Sequence, residues 1–229
     1  MKLPVNFRIA AALALMALFA ATAESCASKC ELVSLQEKAL QGDAKAEYRY
    51  GRLYENGWGR PVNYDEAAKW YRKSADQRYP KAQNSMGDLC ARGLGVAQNY
   101  ALAANWYRKA AEQGDAAAQT NLGNLYLQGQ GVTPDDSAAA AWFWQAAKLG
   151  NATAQAKLGN LYLTGRGVTQ NYAEAYFWLT LAEKSNSDEQ KDSSWLNERD
   201  DAARFLTPLE ISAVQKRVSG WTHQKPTET

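Results

Sequence analysis

The chain has 229 residues, 46% of them apolar, with 26 basic and 24 acidic side chains. That is enough apolar mass to bury a core, which argues against disorder over most of the length and makes one folded domain the default. The even charge gives no general attraction for nucleic acid or anionic lipid, and neither is expected as a partner.

The chain opens with Lys2 and Arg8, then an uncharged apolar run of 13 residues from Ile9 to Ala21, then Ala21-Thr22-Ala23. A positive start, an apolar middle and a small-residue cleavage site are the three parts of a secretory signal. The run is shorter than the ~20 helical residues that span a bilayer. The expectation is therefore a signal peptide over 1–23, cleavage after Ala23, no membrane span, and a soluble mature protein exported across the inner membrane to the periplasm. A lipid on Cys26 fits poorly, because Ala23 stands where that signal wants Leu and the charged Glu24 lies beside it. Cleavage removes Lys2 and Arg8, which brings the 26 cations down to match the 24 acids. In an oxidising compartment Cys26 and Cys30 could close a small loop in the segment 24–42, although either could also pair with Cys90. The alternative for Cys90 is a small buried apolar side chain.

From residue 43 onward the sequence repeats every 36 residues. Gly51, Gly87, Gly123 and Gly159 coincide in this register, as do Leu53, Leu89, Leu125 and Leu161, and Trp70, Trp106, Trp142 and Trp178. So do the turn glycines Gly57, Gly93, Gly129 and Gly165, followed by Gly59, Gly95, Gly131 and Gly167. A period between about 20 and 50 residues marks stacked supersecondary units, here four of them at roughly 43–78, 79–114, 115–150 and 151–186. Each unit reads as two antiparallel helices. In the first, helix A runs from about Ala44 to Asn56 after Asp43, and helix B from about Tyr64 to Gln77 after Asn63. Asn63 with Glu66, and Asn171 with Glu174, have the spacing of a capping box, and Asn99 and Asp135 hold the same cap position. The G-x-G turns supply the positive backbone angles of a helix end and reversal.

The apolar periodicity places Ala46, Tyr50, Leu53 and Tyr54 of helix A, and Ala67, Ala68, Trp70, Tyr71 and Ala75 of helix B, in the core. Repetition at one position in every unit makes the Trp column packing rather than a cofactor platform. The mid-helix glycine costs about 1 kcal/mol relative to Ala, and close approach of a neighbouring helix would return that cost.

The stretches AQTNLGNLYLQGQGV (118–132) and AQAKLGNLYLTGRGV (154–168), each followed by an Ala-rich helix containing Trp, closely resemble the Sel1-like repeat, a relative of the tetratricopeptide repeat. The resemblance covers 43 to about 184. It implies an all-α, right-handed α/α superhelical solenoid of helix-turn-helix repeats with the A helices lining the concave side, and a protein or peptide as partner. Three positions depart from the pattern: Arg60 replaces the Val of Val96, Val132 and Val168, Cys90 replaces Tyr, and Glu183 breaks an Ala column. Some exported relatives are cysteine-rich and have been associated with binding or hydrolysing β-lactams, with a cysteine pair stapling each repeat. Cys90 is the one cysteine inside these repeats, so that subgroup matches poorly.

Both ends read as caps. Residues 31–41 align with the tail of a B helix, Ala39 matching Ala75. Residues 188–206 read as a longer polar helix within the capping region 188–220. A last helix starts at Thr207-Pro208-Leu209-Glu210, a capping box with Pro at the first helical position. Ile211, Val214 and Val218 form its apolar face and Gly220 stops it. The tail 221–229, Trp221 included, reads as flexible.

No catalytic, cofactor or metal site is expected. The one histidine, His223, lies in the tail, the G-x-G turns lack the strand that precedes a nucleotide fingerprint, and Asn151-Ala152-Thr153 is a helix cap more than a glycosylation sequon. The candidate binding surface is the face of helix A opposite its core. At about 100° per residue from Tyr50, Tyr48 falls near 160°, Arg52 near 200° and Glu55 near 140°. Their equivalents are Asn84, Asp88 and Ala91, then Thr120, Asn124 and Leu127, then Ala156, Asn160 and Leu163. Arg52, Asp88, Asn124 and Asn160 would form a polar ladder suited to the backbone of an extended peptide, with Leu127 and Leu163 beside it. Trp58, in the middle of a G-x-G turn, is a further candidate. The expected function is an exported interaction scaffold in envelope regulation or host contact. The rivals are an enzyme with a carboxylate-only site and a self-associating structural solenoid.

Overall fold

Short polar residues set the start of most helices in the computed structural model, which describes residues 32–185 and 193–221. Cys26, Cys30 and the signal segment lie outside the described residues. Helix α1 spans 32–40. The A helices are α2 (Ala44–Asn56), α4 (Pro80–Arg92), α6 (Ala116–Gln128) and α8 (Ala152–Thr164). The B helices are α3 (Tyr64–Asp76), α5 (Tyr100–Ala111), α7 (Asp136–Lys148) and α9 (Tyr172–Ser185). Two more follow, α10 (Ser193–Ala203) and α11 (Pro208–Ser219).

Asp43, Asp115 and Asn151 each accept the backbone N–H three residues ahead, satisfying a donor the helix cannot. Asn63, Asn99, Asp135 and Asn171 do the same for the B helices. The exception is α4, where Tyr79 makes no side-chain cap and Pro80 stands in the first turn instead. The capping boxes expected at Asn63 and Asn171 are only half made. The Glu66 carboxylate turns to Lys69, and that of Glu174 turns to Arg217. The reciprocal pair is complete at Thr207 and Glu210, whose carboxyl is held below its usual range by the Thr207 backbone and hydroxyl. Each A helix ends on a left-handed glycine, Gly57, Gly93, Gly129 or Gly165, as the turn spacing predicts.

Within each repeat the A and B helices pack as a hairpin, and each B helix but the last packs on the next A helix in chain order. This nearest-neighbour stacking is an α/α solenoid of helical repeats. The mid-helix glycines are what bring the hairpins together. A Cβ at Gly51, Gly87, Gly123 or Gly159 would lie 2.8, 2.5, 2.7 or 2.6 Å from Tyr71, Tyr107, Phe143 or Leu179 of the facing B helix. Trp70, Trp106 and Trp178 are buried as expected, while Trp142 is half-buried and its neighbour Phe143 fills the core. Lys73 and Lys109 lay their ammonium groups 4.3 and 4.2 Å from the rings of Trp70 and Trp106. Cys90 is a free, buried thiol pushed up by desolvation, which fits a small core side chain.

A second column escaped the sequence reading. Gln83, Gln119 and Gln155 are buried and donate to the carbonyls of Ala75, Ala111 and Ala147 at 3.2, 3.1 and 3.1 Å. Each thereby satisfies a carbonyl in the last turn of the preceding B helix and staples one repeat to the next. Glu47 holds this position in the first repeat and accepts from Gln77 at 2.7 Å, as Gln83 accepts from Gln113.

At the C-terminal end α10 stops at Ala203, short of the expected 206, and the expected start at 188 lies outside the described residues. The helix packs on α9, and it also touches α8. Helix α11 folds back onto α9, placing Val214 and Val218 in the same cluster as Phe177 and Trp178. Trp221 corrects the reading of the tail: its ring meets Phe177 and Trp178 edge-on, with centroids 5.4 and 5.5 Å apart. Residues 222–229 lie outside the described residues. At the other end Leu32, Leu35 and Ala39 of α1 pack against the cluster containing Tyr50, Leu53 and Trp70.

Candidate functional site: the outer face of the A helices

The ladder residues share the outer A-helix positions, but the structure gives them different tasks. In the second repeat Asp88 accepts from the Tyr107 hydroxyl at 2.7 Å and from Asn121 at 3.2 Å. Asn121 also donates to Asn84 at 3.1 Å, so Asn84 and Asp88 link α4 to α6. Burial pushes the Asp88 carboxyl up, an effect the Tyr107 hydrogen bond opposes. In the fourth repeat Asn160 donates to Glu198 of α10 at 3.0 Å, where the C-terminal helix covers it. Thr120 departs from the expected exposed position. It is 5% exposed, and its hydroxyl donates to the Ala116 carbonyl one turn back. Asn124, Leu127 and Leu163 are half-buried, and both leucines lie against the second core cluster.

The first repeat is different. Tyr48 is half-buried between the rings of Tyr71 and Tyr79, with centroids 5.6 and 5.4 Å away. The Tyr71 hydroxyl reaches back to the Glu55 carboxylate and is pushed far up by burial and by that acceptor. Arg52 lies over the Trp58 ring at 5.2 Å, and Trp58 is 53% exposed. Beside them a cleft of about 1110 Å³ opens between α1 and α2. Its lining includes Lys38, Lys45 and Arg49, which sequence reasoning did not single out, because these positions do not repeat as a column of one chemistry. Arg60, the departure from Val, stacks on Tyr50 and Tyr54 at 4.7 and 4.3 Å and belongs to the end of the solenoid.

Among the described residues no group of three His, Cys, Asp or Glu side chains is placed to hold a metal ion. No described helix is long and apolar enough to cross a membrane. Glu47 and Asp88 are carboxyls that burial pushes up, and each is committed to a neighbouring donor.

The Sel1 repeat profile matches four times, at residues 44–79, 80–115, 116–151 and 152–187. The chain belongs to the Sel1 repeat family. Its structure is similar to that of a Sel1 repeat protein from Oxalobacter formigenes, at 33% identity over 80% of this chain and 75% of that one, with a TM-score of 0.66. It is also similar to a protective antigen present in uropathogenic Escherichia coli strains and displaying an SLR fold, at 27% identity and a TM-score of 0.52. That match covers 86% of this chain but 52% of the antigen, so the chain spans about half the antigen's length. Among curated proteins none matches the chain. Sel1 repeats build scaffolds that typically mediate protein interactions and are generally non-catalytic.

Proposed function

We propose that this Sel1 repeat chain is an exported scaffold that holds a partner protein against the outer face of its A helices and performs no chemistry of its own. The observation that carries the reading is the division between fixed and variable positions. Glycine and alanine columns and most of the tryptophans are consumed in packing, whereas the outward A-helix positions change chemistry from repeat to repeat. Arg52, Asp88, Asn124 and Asn160 occupy one such position, and Glu55, Ala91, Leu127 and Leu163 another. A surface that varies on a fixed frame is how a repeat scaffold acquires specificity. The signal-like residues 1–23 support export to the periplasm, and the likeness to a protective antigen supports a role in the envelope or in host contact.

Photocrosslinking in intact cells tests this. A benzophenone amino acid replaces Asn124 on the A face or the exposed Asn105 on the B face. The expected result is one discrete heterologous adduct from position 124 and none from 105. Equal labelling from both faces would refute the assignment, and adducts of twice the chain mass alone would favour the self-associating solenoid.

A further inference from the structure

We infer that the cleft between α1 and α2 is a docking site for an acidic segment of a partner protein that carries one apolar side chain. This rests on the scaffold reading and assigns its chemistry at one end of the molecule. The first feature is charge. Lys38, Lys45, Arg49 and Arg52 line the cleft, and the one acid among its lining residues is Asp43. Asp43 is already spent: its carboxylate caps α2 by accepting the Ala46 N–H at 2.6 Å.

Several cations elsewhere have a partner. Lys69, Arg166, Arg199, Arg204 and Arg217 pair with carboxylates, and Lys73, Lys109 and Lys148 sit over tryptophan rings. None of the four cleft cations is in an ion pair with a described residue. Four unneutralised charges in one concavity, on a chain whose totals nearly balance, form a local positive field.

The second feature is the apolar floor. Leu32 and Leu35 line the same cleft, together with Trp58 at its rim. Arg52 is held over the Trp58 ring at 5.2 Å, so the guanidinium is oriented before any partner arrives. Trp and Arg are the residue types that dominate binding energy at interfaces, and Arg forks receive carboxylates through paired hydrogen bonds. A volume of about 1110 Å³ exceeds what most small ligands fill and suits a short stretch of chain. A nucleic acid is disfavoured because the basic patch ends with the first repeat. At the position of Arg52 the later repeats carry Asp88, Asn124 and Asn160, so no basic track continues along the solenoid.

The test uses the full mature chain and a fluorescein-labelled nonapeptide of eight Glu and Asp residues around a central Phe. Controls are the same peptide with Lys for every acid, the same peptide with Gly for Phe, a single-stranded oligonucleotide, and phosphatidylglycerol vesicles. Anisotropy should show saturable binding of the acidic Phe peptide that weakens at least tenfold between 50 and 500 mM salt. Arg49→Glu with Arg52→Glu should weaken it at least tenfold, Trp58→Ala severalfold, and both variants should keep the wild-type helical circular dichroism. The Gly peptide should bind several times more weakly, and the Lys peptide not at all.

Absence of saturable binding, or equal binding to the charge-reversed variant, overturns the inference. So does equal affinity for the oligonucleotide or the vesicles, which would make the cleft a general polyanion trap. If Glu24→Lys with Glu31→Lys raises peptide affinity tenfold or more, the occupant is this chain's own preceding segment, and the partner assignment falls. A failed titration beside a positive crosslink from position 124 would remove this cleft and leave the scaffold standing.

Discussion

Gly87 shows how a single missing side chain shapes the repeat. Its Cα faces the Tyr107 ring so closely that a Cβ would sit 2.5 Å from two ring carbons. The ring has nowhere to go, because it is buried and its hydroxyl is tied to Asp88. Gly87→Ala therefore gains about 1 kcal/mol of helix propensity and loses more to overpacking, with a net cost of about 2 kcal/mol in urea unfolding. A neutral or stabilising result would mean the hairpins are not closely packed. Asp88 itself offers a sharper pair of substitutions. Asp88→Asn keeps an oxygen to accept from Tyr107 and Asn121 while removing a charge that burial disfavours, so stability at pH 7 should rise by up to about 1 kcal/mol. The folded carboxyl holds its proton to higher pH than the unfolded one. Its penalty is thus absent below the ordinary aspartate range, builds as pH rises through the raised folded value, and is complete above it. The gain from Asn should accordingly vanish as the pH is lowered. Asp88→Ala strands the Tyr107 hydroxyl and should cost about 1–3 kcal/mol, measured the same way.

At the scale of the helices, the features that recur were legible and those that occur once were not. The helix pairs, their caps, the left-handed glycines and most of the tryptophan column could be placed because four copies of one pattern leave little freedom. Thr120 looked exposed from its helical angle, yet Thr is small enough to be covered by its neighbours once its hydroxyl bonds back to Ala116. The ties of Asp88 to Tyr107 and of Asn160 to Glu198 involve residue pairs found in single repeats, so no periodicity announces them. The glutamine staple did recur, but a polar column reads as surface until its carbonyl partners are known. That staple also exposes one flaw: Glu47 occupies its first position, is 4% exposed, and cannot donate as an ionised carboxylate. The three glutamines reach the carbonyl eight residues back, which for position 47 is that of Ala39 in α1. Glu47→Gln should restore the donor, keep an oxygen for Gln77, and stabilise the docking of α1 by about 1 kcal/mol. Slower amide hydrogen exchange in residues 32–40 would show it, and unchanged exchange there would disprove the staple.

For the whole molecule, stability should behave as a chain of interfaces closed at both ends. Deleting 116–151 joins Asp115 to Ala152, so an aspartate still caps the following A helix and α8 meets α5 in place of α7. The new interface pairs Gln155 with the Ala111 carbonyl that Gln119 used before, and Leu158 replaces Leu122 against the same B helix. Such a three-repeat chain should fold as a monomer with a lower melting temperature, having lost one repeat and one interface. Ending the chain at Ser185 removes only slightly more of the chain than that deletion, yet it takes away what closes the fold. It strips Val214, Val218 and Trp221 from Phe177 and Trp178, and removes α10 from α8 and α9. An uncovered B helix with two large rings is an apolar patch of the kind that drives association. The truncated chain should therefore bind a hydrophobic dye and aggregate at concentrations where the internal deletion stays monomeric in light scattering. If the deletion aggregated and the truncation did not, the capping role of α10 and α11 would be wrong and internal continuity would matter more than closure.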